Sequence, residues 1–114
     1  AVGQYALANS TSGNDNTAVG KNALTANTTA SNNVAIGANA LQTNQTQGET
    51  TAVGTNALKL STGVANTALG FNAGDAVTTG TNNIGAQSDN SDNGELQLQS
   101  GKQELFENII NQYI

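Results

Sequence analysis

The sequence contains no cysteine, histidine, proline, methionine or tryptophan. Without cysteine it forms no disulfide and offers no thiolate to a metal. Without histidine or cysteine no catalytic constellation survives inspection, so no enzyme activity and no cofactor are expected. Basic residues are scarce as well: 3 Lys+Arg stand against 8 Asp+Glu, for a net charge of −5. That balance disfavours nucleic acid, whose phosphates are held by clustered cations. It equally disfavours electrostatic docking on anionic lipid. No run approaches the ~20 apolar residues of a membrane span, and no membrane insertion is expected. No signal peptide is visible.

Large side chains are also in short supply. Aromatics make up 4% of the chain, and most apolar residues are Ala, Val and Leu. A monomeric globule of 114 residues ordinarily needs bulkier groups to offset roughly 1–2 kcal/mol of chain entropy per residue. Only 10% of the residues are charged, fewer than disordered chains usually carry. Burial is therefore expected to come from repetition or from oligomerisation.

Repetition is what the sequence supplies. NTAVGKNAL at Asn16 returns as NVAIGANAL at Asn33, TTAVGTNAL at Thr50 and NTALGFNAG at Asn66. The glycines Gly3, Gly20, Gly37, Gly54, Gly70 and a degenerate Gly85 are spaced 17, 17, 17, 16 and 15 residues apart. A fixed short period signals a stacked array. Helical repeats run to ~34 residues and need helix formers, so this period predicts one coil of a parallel β-roll or β-solenoid per repeat. The chain opens inside a repeat unit, on AVGQYAL, and a piece of a longer array is expected.

Each column carries a physical reason. Val19, Ile36, Val53 and Leu69 precede the glycines, and Ala18, Ala35, Ala52 and Ala68 precede those. Side chains alternate across a strand, so the branched residues share one face with Thr17 and its equivalents. Alanine and glycine share the other, which is nearly bare backbone. That bare face is expected where another chain or sheet approaches closely, and association through it is expected to complete the burial. Asn22, Asn39, Asn56 and Asn72 follow the glycines by two, where a turn favours left-handed backbone and stacked amides can form a ladder. Leu24, Leu41 and Leu58 follow by four and are expected to fill the coil. Each repeat then divides into a short strand, a tight turn, a second short strand and a longer polar turn. The polar turns are Asn9–Asn14, Asn27–Ser31, Thr43–Glu49 and Ser61–Ala65.

These residues resemble a known family. Val34-Ala35-Ile36-Gly37, with Ala18-Val19-Gly20 and Ala52-Val53-Gly54, is similar to the head repeats of trimeric autotransporter adhesins of the YadA type. The longer NTAVGKNAL form resembles the related repeats of phage and phage-like tail fibres. Phe71-Asn72-Ala73-Gly74-Asp75 followed by Thr78-Thr79-Gly80-Thr81-Asn82-Asn83 resembles the last repeats of such fibres. The resemblance implies a left-handed parallel β-roll, a homotrimer about a threefold axis, and a role in display or adhesion. It places the protein outside the cell, on a virion tail fibre or alternatively on a bacterial outer-membrane surface. A cell-surface receptor, glycan or matrix protein is the expected partner, reached through loops or flanking domains.

The pattern changes towards the C-terminus. The repeat domain is expected over residues 1–87, a polar linker and short strand over 88–99, and a helix over 100–114. Asn83 and Asp89 replace the Ala and Leu of the last rung, so the roll is expected to end there. Phe106, Ile109 and Tyr113 recur at helical spacing, with Leu105 and Ile110 flanking. They form either the seam of a trimeric coiled-coil start or a single helix packed across the base of the roll.

Other motifs have plain explanations. Gly20-Lys21-Asn22 is no phosphate loop, because Asp15 stands where the first glycine belongs and Asn22 replaces Ser or Thr. Asp89, Ser91, Asn93 and Glu95 resemble the first half of a calcium loop, but Ser100 stands in place of the bidentate Glu, and a turn-rich linker accounts for them. The glycosylation triplets at Asn9, Asn27 and Asn44 are expected by chance in a chain this rich in Asn and Thr. Tyr5 and Phe71 are candidates for a sugar contact, but packing against a neighbouring rung is the commoner fate of such residues. The regular Thr positions raise ice binding as a remote alternative, which Val34 interrupts.

Overall fold

The computed structural model describes residues 1–86. Its regular elements are all strands: β1 (Thr17–Val19), β2 (Val34–Ile36), β3 (Thr51–Val53), β4 (Thr67–Leu69) and β5 (Ile84–Gly85). They form one parallel sheet in chain order. Partners lie 17, 17, 16 and 17 residues apart. Each repeat therefore makes one turn of the chain and lands on the next, the arrangement of a β-solenoid. Val2 bridges Val19 and adds one more rung in front of β1.

The strands are short because the chain turns at once. Gly37 closes β2 with φ at 133°, and three turns follow without a break. Ala40 N donates to Gly37 O at 3.2 Å, Gln42 N to Asn39 O at 3.3 Å and Asn44 N to Leu41 O at 3.2 Å. Asn39 and Leu41 both take left-handed backbone, at φ 59° and 50°. Two left-handed residues separated by one other cannot lie in an extended strand. The expected second strand of each repeat is thus replaced by consecutive turns. The coils stay bonded along this side regardless: Asn39 N donates to Lys21 O at 2.8 Å and Leu24 N to Ala40 O at 3.0 Å.

The interior is made of small residues. Ala18, Ala35, Ala52 and Ala68 form one fully buried column, and Ala23, Ala40, Ala57 and Ala73 another. Leu24, Leu41 and Leu58 fill the space between turn and sheet. This reverses the expected use of the two sheet faces. The Ala/Gly face does not meet another chain; it is the inside of this chain's own coil. The coil is too thin to enclose two opposed branched side chains, so the branched face points out. What approaches each glycine closely is the next coil. A Cβ built on Gly20 would lie 2.6 Å from the Gly37 carbonyl carbon.

The last rung also departs from the expected alignment. β5 pairs Ile84 with Thr67 and Gly85 with Ala68, so Gly85 is not the sixth member of the glycine column. Nor does Asn83 replace an alanine. It stacks on Asn66, with Asn83 N donating to Asn66 Oδ1 at 2.9 Å and Asn83 Nδ2 to the same oxygen at 3.1 Å. These two bonds set the register, and a glycine match two residues out of phase cannot compete with them.

The residue two before each strand is left-handed in every repeat: Asp15, Asn32, Glu49, Ala65 and Asn82. Alanine suits that backbone poorly, whereas asparagine visits it readily. Ala65→Asn is expected to stabilise the coil by about 0.5–1 kcal/mol, read as a higher denaturant midpoint. An unchanged or lower midpoint contradicts the assignment.

Candidate functional site

The outer face of the sheet is the surface that the repeat makes most regular. Val19 and Ile36 are each 39% exposed, Leu69 is 62% exposed, and Val53 is half-buried. Beside them run Thr17, Val34, Thr51 and Thr67, whose side chains leave the same face. No charged residue interrupts either column over these strands. Neighbouring strands lie about 4.8 Å apart and alternate residues of one strand roughly 6.7 Å apart, so the two columns form a regular, solvent-facing grid. Solvated apolar grids of this kind mark association surfaces. Phe71 and Tyr5 are exposed rather than packed on a neighbouring rung. Tyr5 occupies the place of the asparagine column, with φ at 60°.

That asparagine column stiffens the stack. Asn22 Nδ2 donates to Asn39 Oδ1 at 3.1 Å, Asn39 Nδ2 to Asn56 Oδ1 at 3.0 Å, and Asn56 Nδ2 to Asn72 Oδ1 at 3.0 Å. All four residues are left-handed, so each serves the turn and the ladder together. Substitutions separate the two roles. Asn39→Gly keeps the backbone and loses two bonds, an expected cost of about 1–2 kcal/mol. Asn39→Ala loses the same bonds and also puts alanine, which has no polar side chain to bond locally, in left-handed backbone, an expected cost of about 1 kcal/mol more. Equal denaturant midpoints for the two variants would contradict this division.

A second set of amides lies inside. Asn27, Asn33, Asn44 and Asn66 are fully buried, with Thr50 and Ser61. Asn33 Nδ2 donates to Asn16 Oδ1 at 3.1 Å and to Gln47 O at 3.2 Å, and its own Oδ1 accepts from Thr50 N at 3.0 Å. Reading Asn27 and Asn44 as residues of polar surface turns missed this. The available signal was their recurrence at one fixed distance from the glycine, which loops do not require. Burial also removes both as glycosylation acceptors.

On the polar-turn side, Thr29, Ser31, Asn32, Gly48, Glu49 and Val64 line a shallow depression. Among the described residues no three acidic or thiol groups gather where they would hold a metal. No described helix is long and apolar enough to cross a membrane. The calcium-loop candidates Asp89, Ser91, Asn93 and Glu95 lie outside the described residues. So do the linker and strand expected over 88–99 and the Phe106, Ile109 and Tyr113 seam.

Compared with known proteins, residues 87–114 match the family model of the XylA2 C-terminal domain. The match begins where the described coils end. No curated protein and no solved structure matches the chain.

Proposed function

We propose that this chain is a stiff, adhesive segment of a trimeric surface fibre, of the kind found in phage and phage-like tail fibres. One observation supports this above the others: a continuous outer strip of Val19, Ile36, Val53 and Leu69 on a coil that has already closed its own interior. Three such strips facing a common axis remove the exposed apolar surface of all three chains. On this reading the chains assemble as a homotrimer of left-handed rolls, outside the cell. The coils set length and stiffness, and the polar turns or flanking domains contact a receptor, glycan or matrix protein. No catalytic role is assigned. The head of a bacterial trimeric adhesin uses the same architecture, and a membrane-anchor barrel in the parent gene would decide for it. Ice binding fits less well, because Val34 and Ile84 interrupt the Thr column.

A spacer built of equal coils tolerates the loss of one. Deleting residues 34–50 joins Asn33 to Thr51 and recreates the Asn-Thr-Ala-Val junction found at Asn16. The deletion variant is expected to keep its β-type circular dichroism and its assembly state, and to be shorter by about 4.8 Å. Loss of the folded state in this variant would contradict the modular reading.

A further inference from the structure

We infer that Asn27 and Asn44 hold a single water molecule between them inside the coil. The two occupy the same position in successive repeats, seven residues after the glycine, and both are fully buried. Backbone bonds on either side hold one over the other: Ala26 N donates to Gln42 O at 3.2 Å and Thr28 N to Gln45 O at 2.9 Å.

Their amides point opposite ways for a local reason. Asn27 Nδ2 donates to Ala30 O at 3.3 Å, whereas Asn44 Oδ1 accepts from Gln47 N at 3.2 Å. Rotating either amide by half a turn would set donor against donor or acceptor against acceptor. Both orientations are therefore fixed. The atoms left over are Asn27 Oδ1 and Asn44 Nδ2, buried and without a hydrogen-bond partner.

A leftover acceptor thus stands one coil from a leftover donor. Buried polar atoms are satisfied in native proteins almost without exception. In the half-buried ladder the amides bond directly from coil to coil; here each amide is tied back to its own turn. Coils lie about 4.8 Å apart, within the reach of one bridging oxygen that makes a bond of about 2.8 Å to each side. The chemistry selects the occupant. A cation is repelled by the Asn44 N–H group and an anion by the Asn27 carbonyl. A neutral molecule that both donates and accepts satisfies the two together, and water is the one small enough.

The test is dipolar transfer from solvent to the Asn44 side-chain amide protons, measured by NMR on the full chain. The expected result is a cross-peak with the sign of a water held longer than the molecule's tumbling time. It should persist in Ser61→Ala, which removes the hydroxyl at the next position of the column as a relay. Absence of the cross-peak overturns the proposal, as does its loss in Ser61→Ala. A scalar coupling from Asn44 Nδ2 to the Asn27 side-chain carbonyl also overturns it, since the amides would then bond directly. A crystal structure decides independently: density within hydrogen-bond distance of both atoms supports the site, and its absence overturns it.

Discussion

Gly37→Ala is expected to destabilise the stack by at least about 3 kcal/mol. Gly37 sits at φ 133°, a conformation that costs a side-chain-bearing residue about 1–3 kcal/mol. Strain is the smaller part of the effect. A Cβ at Gly37 would lie 2.5 Å from both the carbonyl carbon and the oxygen of Gly54. Those atoms belong to backbone, so no rotamer change relieves the overlap, and the coils must part. Parting them strains the bond from Gly54 N to Ile36 O, now 2.7 Å, and the adjoining Asn39–Asn56 ladder bond. Thr55→Ala is the control: Thr55 is exposed, and the change is expected to stay within about 0.5 kcal/mol. Urea midpoints of the two variants check the claim. A Gly37→Ala midpoint equal to that of Thr55→Ala would mean that the coils are not packed backbone on backbone.

The second large effect is on assembly rather than folding. Ile36→Asp combined with Val53→Asp places two charges on the outer strip. Neither side chain contributes to the buried cluster, so the coil is expected to keep its circular dichroism. The proposed trimer is expected not to survive, because burying two carboxylates without partners costs far more than the strip contributes. The solution mass is expected to fall threefold. Ala35→Asp combined with Ala52→Asp should behave in the opposite way. Those positions are fully buried inside the coil, and the charges are expected to unfold the chain. If the inner pair were tolerated and the outer pair unfolded the protein, the assignment of faces would be wrong.

That assignment is where the sequence was least legible. Alternation in TAVG separates two faces but does not say which one is inside. The usual guide, bulky residues in and small residues out, fails here because the coil has room for alanine and one leucine per turn. The period was legible at once, since one coil per repeat requires the equal spacing that Gly20, Gly37 and Gly54 display. The asparagine column was legible because few residues other than asparagine and glycine suit left-handed backbone. Leu24 and Leu41 concealed the same conformation, which leucine adopts reluctantly, and so turns were read as a strand. Asn27 and Asn44 were read as surface because polarity usually means exposure. What makes them workable inside is bonding within their own turns, Asn27 to Ala30 O and Asn44 from Gln47 N, which composition does not reveal. Gly85 was misplaced because a short Ile-Gly match outweighed Asn83, whose bonds to Asn66 set the last register.

The association surface itself rests on one measurement: the solution mass of residues 1–114 by light scattering, with circular dichroism on the same sample. A self-closed coil that covers its outer strip with two further copies predicts a β-type spectrum and three times the 11.5 kDa chain mass, 34.5 kDa. A folded monomer of 11.5 kDa would contradict the account, because the strip of Val19, Ile36, Val53 and Leu69 would then face water with nothing to cover it.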